Sequence, residues 1–175
     1  MTRIFFMKKN DPVILAYFTA FAVTIYVLEN LIPKPLPFLK LGLANVVVLL
    51  LLWNRKSLAA FIILLSKTIL GGLITGMLLS PMTIISLGAS ITAYLLMFGA
   101  IKSRLGFSVL GISIIGATIH NITQLAIVNW LLVHSNAVWR LLPLMILLGL
   151  VTGLITGYLV HLLSRQKIIK NYLSN

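Results

Sequence analysis

Apolar residues occur along this chain in long runs, separated by short segments that contain prolines, lysines or arginines. The runs are apolar all round rather than on one face, which is typical of helices that cross a lipid bilayer. The pattern predicts an all-α integral membrane protein, with residues 1–175 forming one domain of six transmembrane helices. We place these helices at about residues 13–31, 41–54, 58–79, 82–101, 106–133 and 141–163.

The composition agrees with a membrane location. Hydrophobic residues make up 60% of the 175 positions and charged residues only 9%, whereas a soluble domain carries about 25% charged residues. The chain has no cysteine, which excludes disulfide bonds and cysteine nucleophiles. The first apolar run lacks an evident small-residue cleavage site, so we expect a retained span rather than a removed signal peptide.

The net charge of +12 reflects basic residues at the ends of the spans, so we expect contact with anionic lipid and not with nucleic acid. Cytoplasmic loops are enriched in lysine and arginine. Three basic residues fall on one side of the predicted bundle: Lys34, Lys40 and Arg140. Ten fall on the other: Arg3, Lys8, Lys9, Arg55, Lys56, Lys102, Arg104, Arg165, Lys167 and Lys170. This asymmetry predicts that both termini are cytoplasmic.

Lys67 lies about ten residues into the third predicted span, near the middle of the membrane. An ionisable side chain at that depth is costly and must face a partner inside the bundle. The chain contains only two acidic residues, Asp11 and Glu29. Lys67 therefore either pairs with Glu29 or a backbone carbonyl to hold helices together, or faces an anionic ligand.

The first predicted outer loop begins near Glu29 and runs to Asn45, with lysines at positions 34 and 40. Prolines at alternate positions within it prevent a helix and stiffen the backbone. The loop is also apolar, which favours a lid folded over the bundle. Lys34, Lys40 and Asn45 would then surround an anion; the alternative is a rigid turn whose lysines reach the membrane surface.

The fifth predicted span carries His120, Asn121 and Gln124. His120 and Gln124 are four residues apart and share a helix face, which Gly116 and Ser113 continue inward. These side chains form either an interhelical hydrogen-bond cluster or part of a ligand pocket. No spacing of histidines and carboxylates suits a metal ion, and we expect no metal or cofactor.

The strongly polar residues thus fall in the middle and outer half of the bundle. They predict an outward-facing, substrate-binding pocket for a small, anionic solute bearing a phosphate, diphosphate or carboxylate. Its predicted residues are Glu29, Lys34, Lys40, Asn45, Lys67, His120, Asn121 and Gln124. On the first span, Ala16 and Ala20 form a small-xxx-small pattern that allows a helix from a partner to approach closely.

Three motifs carry a resemblance to a known family. They are Glu-x-x-Ile-Pro-x-Pro-Leu-Pro-x-x-Lys-x-Gly-Leu-Ala-Asn from Glu29 to Asn45, Lys67-Thr68 with the glycines after it, and His120-Asn121-x-x-Gln124. The chain resembles the Gx transporter family, also labelled heptaprenyl diphosphate synthase component I. That family is similar to the substrate-binding S components of energy-coupling factor (ECF) transporters, six-helix bundles of the bacterial cell membrane.

The resemblance implies a solute-binding subunit that assembles with a transmembrane coupling subunit and two cytoplasmic ATPases. It implies that Ala16 and Ala20, which match an Ala-x-x-x-Ala motif, contact the coupling subunit. Members occur near genes for quinone synthesis and flavin-based extracellular electron transfer, so the solute is expected to be a vitamin, flavin, quinone or prenyl diphosphate relative. An accessory role in prenyl diphosphate or quinone synthesis, or in that electron transfer, is the alternative.

The sequence does not favour an enzyme that works alone. Prenyl diphosphate synthases use aspartate-rich motifs to hold Mg²⁺ against a diphosphate, and this chain has a single aspartate, Asp11. A phosphate-binding Gly-x-x-x-x-Gly-Lys-Ser/Thr loop is also absent from the sequence. Transport driven by ATP would therefore need another chain to hydrolyse it.

Overall fold

The computed structural model describes residues 12–31 and 42–166, and these residues form helices and turns without any β-strand. A π-helical turn at Asn129–Val133 and a 3₁₀ segment at Asn136–Leu141 connect the last two α-helices. The α-helices are α1 Pro12–Leu31, α2 Asn45–Trp53, α3 Ser57–Ile74, α4 Pro81–Lys102, α5 Val109–Val128 and α6 Leu142–Arg165. The all-α prediction is confirmed for the described chain.

Five helices are long and apolar enough to cross a membrane: α1, α3, α4, α5 with the π-helical turn, and α6 with the 3₁₀ segment. The exception is α2. Its nine residues rise only about 13 Å, which is less than half of a hydrocarbon layer about 30 Å thick. The predicted second span at 41–54 therefore contains a helix that does not cross the layer by itself.

Residues 46–52 of α2 are all buried, so this helix lies inside the bundle. It ends where Arg55 adopts a left-handed conformation with φ 61°. The backbone N–H groups of Arg55 and Lys56 point back toward α2 and donate to the carbonyls of Leu52 and Leu51 at 3.0 and 2.9 Å. Such a closure satisfies the last carbonyls of a helix and reverses the chain. Consequently α2 and α3 form an antiparallel hairpin.

Contacts between the helices give their relative directions. The Tyr94 hydroxyl, near the end of α4, donates to the Ser57 carbonyl at the start of α3 at 3.0 Å, so these helices are antiparallel. In contrast, Tyr26 of α1 packs on Gly71 of α3. Each of these residues lies fourteen positions into its helix, so α1 and α3 run in parallel.

Three glycines of α6 allow it to touch the backbone of α5. A Cβ atom added at Gly149, Gly153 or Gly157 would lie 2.6, 2.6 or 3.0 Å from a Cα atom of α5. Those Cα atoms belong to Thr118, Ile114 and Leu110. Because the two sets of numbers run in opposite order, α5 and α6 are antiparallel and packed closely along three turns.

These directions place the start of α1, the α2–α3 turn, the α4–α5 turn and the end of α6 at one end of the bundle. Five basic residues lie there, against Arg140 alone at the opposite end of the described chain. The five are Arg55, Lys56, Lys102, Arg104 and Arg165. The charge asymmetry expected from the sequence is thus present between the two ends of the folded bundle.

Large apolar side chains cover the outside of the bundle. Tyr17 and Phe21 of α1, and Leu147, Leu154 and Tyr158 of α6, are each about half exposed or more. Water does not favour so extensive an apolar surface, whereas lipid does. The long helices and this surface together identify a multi-pass membrane protein.

Candidate functional site

Lys67 is buried, with 3% of its surface exposed, and its ammonium group donates a hydrogen bond to Oδ1 of Asn45. Asn45 is the first residue of α2. Lys67 lies ten residues, about 15 Å, from the start of α3, and Asn45 lies eight residues, about 12 Å, from the end of α2. The hairpin therefore brings both side chains to the same level in the middle of the bundle.

Glu29 is equally buried, with 3% of its surface exposed. Its Oε1 atom accepts a hydrogen bond of 2.6 Å from the backbone N–H of Leu43, just before α2. A carboxylate at the start of a helix is stabilised by the free N–H groups and the positive end of the helix dipole. Glu29 and Lys67 thus bind positions only two residues apart, so both buried charges converge on the start of α2.

A cavity of about 30 Å³, lined by both apolar and polar side chains, lies beside this point, between α2, α3, α4, α5 and α6. Such a volume accommodates one or two water molecules. Apolar side chains such as Val48, Leu49 and Leu64 line part of it. The polar side chains that line it are Asn45, Ser90, Ser113, His120, Asn121, Thr152 and Thr156.

His120 and Asn121 are 5% and 3% exposed, and both line the cavity. The Asn121 amide also donates a hydrogen bond of 3.1 Å to the Met145 carbonyl on α6. Asn121 therefore supports the interhelical hydrogen-bond interpretation as well as the pocket interpretation. His120 lies on the face shared with Ser113 and Gly116, which both line the same cavity, as the four-residue spacing predicts.

Gln124 lies on this α5 face, one turn beyond His120, and its exposure is 0%. Among the residues that the structure describes, neither its Oε1 nor its Nε2 atom has a hydrogen-bond partner. Such an amide is unusual, because buried polar groups are nearly always hydrogen-bonded. Gln124 is close in sequence to the cavity-lining residues of α5 but does not itself line the cavity.

The structure thus gathers five of the eight predicted residues around the start of α2 and the cavity: Glu29, Asn45, Lys67, His120 and Asn121. Gln124 lies one helical turn away. The predicted Lys34 and Lys40, with the proline-rich segment, lie outside the described residues. Within the described chain, no group of three histidines or carboxylates is arranged to hold a metal ion.

Sequence reasoning did not select three hydroxyl residues of the cavity, Ser90 on α4 and Thr152 and Thr156 on α6. Serine and threonine are common in membrane helices because their hydroxyls bond to the backbone of the preceding turn. Thr152 does this, donating to the Leu148 carbonyl at 2.8 Å. The sequence spacing of a hydroxyl residue does not show whether it lines a cavity or only bonds to the backbone of its own helix. The packing of α4, α5 and α6 is needed to identify the three residues.

Ala16 and Ala20 are exposed on α1, on the face that also presents Tyr17 and Phe21. This face packs against nothing within the described chain. It is therefore accessible to lipid or to another membrane helix.

The family model described as heptaprenyl diphosphate synthase component I matches residues 18–163. The chain belongs to this family. The match begins within α1 and ends near the end of α6, so it includes every described residue of the site. Ala16 lies just before it. No curated protein and no solved structure matches the chain.

Proposed function

We propose that this member of the heptaprenyl diphosphate synthase component I family is a membrane subunit that binds a small solute, in the manner of an ECF S component. The observation that carries the proposal is the buried Lys67–Asn45 pair beside a partly polar cavity. Ionisable residues inside a membrane are expensive and mark binding sites or transport paths. A bundle that only needed to pack could fill these positions with apolar side chains.

The charges favour an anionic group on the solute. The Lys67 ammonium and the positive end of the α2 dipole meet at the start of α2, as in transporters whose broken helices point at anionic substrate groups. Asn45, which both accepts the Lys67 hydrogen bond and lines the cavity, connects that charge to the solute. The carboxylate of Glu29 stabilises the arrangement when the anion is absent.

A solute larger than two water molecules needs the cavity to widen. Met97 of α4 lines the cavity and packs on Gly116 of α5. The methionine side chain has three flexible bonds and repacks readily. We infer that a change of the Met97 rotamer makes room for the solute, while the glycine-packed contact of α5 with α6 stays fixed.

The charge asymmetry of the folded bundle supports the proposed orientation. Applied to its ends, the positive-inside rule places the basic end, with both termini, in the cytoplasm. The cavity then opens to the outside, and the solute is captured there.

Assembly with a coupling subunit and cytoplasmic ATPases would use the exposed face of α1. Alanines at positions 16 and 20 allow a partner helix to approach closely. Ala16→Leu or Ala20→Leu should therefore reduce co-purification with such a complex and leave solute binding intact. Equal co-purification of wild type and both variants would exclude this face as the docking surface.

Native mass spectrometry of the purified protein tests the central proposal. We expect a retained small molecule in the wild type, and its loss in Lys67→Met and His120→Ala. Lys102→Met, which makes the same change at an exposed helix end, is the matched control and should retain it. Retention of the molecule by Lys67→Met and His120→Ala alike would place the site elsewhere.

Family membership supports a second candidate, an accessory role in prenyl diphosphate or quinone synthesis. In this version the chain is not itself a catalyst, and it presents the solute or its lipid product to a soluble synthase. Adding the purified protein in lipid vesicles to the partner synthase should then increase prenyl chain elongation. An unchanged elongation rate, together with a retained solute, would favour the transport subunit.

A further inference from the structure

Gln124 has a role that packing does not explain. Its carboxamide is fully buried and neither of its polar atoms is hydrogen-bonded within the described chain. A buried amide without partners destabilises the folded state, and in a membrane interior water does not relieve the cost. Leucine or methionine would fill the same space without that penalty. The amide therefore indicates a partner that residues 12–31 and 42–166 do not provide.

The position of Gln124 indicates where such a partner would lie. Ser113, Gly116 and His120 line the cavity from one face of α5, and Gln124 continues this face by one turn. Four residues correspond to about 6 Å along the helix. The cavity and the Gln124 amide thus lie at consecutive levels of one face of α5, close enough for a ring-sized solute to reach both if the cavity widens.

A glutamine amide presents one acceptor and two donor hydrogens in a single plane. A planar group that satisfies both sides at once is a carbonyl next to an N–H, as in a cyclic amide or imide. A quinone or a diphosphate carries acceptors only, so it would leave the Gln124 oxygen without a donor. The pattern of the amide therefore distinguishes among the solute classes that the charges alone allow.

We propose that Gln124 binds the cyclic amide or imide edge of the solute, whose anionic end lies toward Lys67. This proposal rests on the proposed function, since it names the chemical class of the solute for the same pocket. It assigns different tasks to the two residues: Lys67 attracts the charge, and Gln124 selects the ring.

Two substitutions separate this role from a structural one. Gln124→Met has nearly the same volume and removes the unsatisfied amide, so the ligand-free protein should unfold at the same temperature as the wild type or higher. Asn121→Leu removes a hydrogen bond that links α5 to α6, so its unfolding temperature should fall. If the unfolding temperature of Gln124→Met falls as far as that of Asn121→Leu, Gln124 is a packing residue and the proposal is overturned.

Binding is measured by calorimetry in detergent with three probes: lumazine-6-carboxylate, 2-naphthoate and inorganic diphosphate. The first two are bicyclic carboxylates of similar shape, but only the lumazine contains a cyclic imide. We expect the wild type to bind the lumazine at least about tenfold more tightly than the naphthoate, since an unmatched hydrogen-bonding group is costly. Gln124→Met should abolish this preference, and Lys67→Met should weaken both carboxylates.

Equal binding of the two carboxylates, or tighter binding of diphosphate, would refute the imide class and leave solute binding in place. A molecule retained by the purified protein that has no cyclic amide would do the same. If no probe binds the wild type and no molecule is retained, the proposed function falls together with this inference.

Discussion

Replacing Gly153 with alanine tests how closely α5 and α6 approach each other. The added Cβ atom would lie 2.6 Å from the Ile114 Cα atom and 3.1 Å from the Ser113 carbonyl oxygen. Both neighbours are backbone atoms, so no side chain can rotate away. Ordinary contacts of a Cβ atom lie at 3.4–4 Å, and the two helices must therefore separate locally by about 1 Å.

The cost of that separation can be set against the gain in helix propensity. Overpacking a well-filled interior costs about 1–3 kcal/mol, while alanine is favoured over glycine in a helix by about 1 kcal/mol. The difference is a net loss at Gly153 of up to about 2 kcal/mol, and we expect a value near that upper end because both clashing atoms belong to the backbone. Gly99 of α4 is the matched control, because a Cβ atom there meets no heavy atom within 4 Å. Gly99→Ala should leave stability unchanged or raise it by up to about 1 kcal/mol.

Helix content followed by circular dichroism during SDS titration of the purified protein measures both variants. Gly153→Ala should unfold at a lower SDS fraction than the wild type, and Gly99→Ala at the same fraction or a higher one. The reasoning is refuted if the two variants unfold together, because the close backbone contact would then be missing from the folded bundle.

Three other predictions follow from single contacts. Glu29→Gln keeps an acceptor for the backbone N–H of Leu43 and should be tolerated. Glu29→Leu leaves that N–H buried without its partner, and the SDS titration should show a free energy of unfolding lower by about 1–3 kcal/mol. Tyr94→Phe removes the hydrogen bond to the Ser57 carbonyl and should cost about 1 kcal/mol; no change would show that the bond is absent. Since the chain has no cysteine, single cysteines placed at Ser103 and Ser135 report the orientation of the bundle. A membrane-impermeant thiol reagent added to intact cells should label the cysteine at position 135 and not the one at position 103. The reverse labelling pattern would show that the topology is inverted.

The sequence predicted three of the six helices, α1, α4 and α6, to within a residue or two at both ends, whereas α2, α3 and α5 differ from their predicted limits by three to five residues at one end or both. α4 was expected at 82–101 and occupies Pro81–Lys102, with the proline in its first turn and the lysine in its last. α3 was expected to reach residue 79 but ends at Ile74, before Gly76 with φ 67°. Apolar residues continue beyond that glycine, and Leu79 is 92% exposed. In a membrane protein an apolar turn facing lipid resembles a helix in sequence.

The sequence predicted which strongly polar side chains are buried in the bundle, but not how they pair. Burial of Lys67 followed from its depth in the third span. Its bond to Asn45 depends on the length of α2 and on the turn that reverses the chain. The partner of Glu29 is a backbone N–H, which no pattern of side chains reveals. The hydrophobicity pattern does not predict that α2 is short either. Apolar residues stand both before and after Asn45, so the pattern suggests a longer span.

The shortness of α2 is also the feature that most favours a binding site over simple packing. A helix that starts in the middle of a membrane bundle leaves backbone N–H groups where water is scarce, and such irregular backbone is tolerated only inside protein or beside a cavity. Here Glu29 accepts from the N–H of Leu43, two residues before α2, and Lys67 donates to the side chain of Asn45, the first residue of α2, so two buried ionisable residues contact the start of the helix. A continuous apolar helix would need neither charge. The bundle therefore maintains an energetically costly helix start at the level where the cavity adjoins α2. In the proposed function, a bound solute would offset that cost.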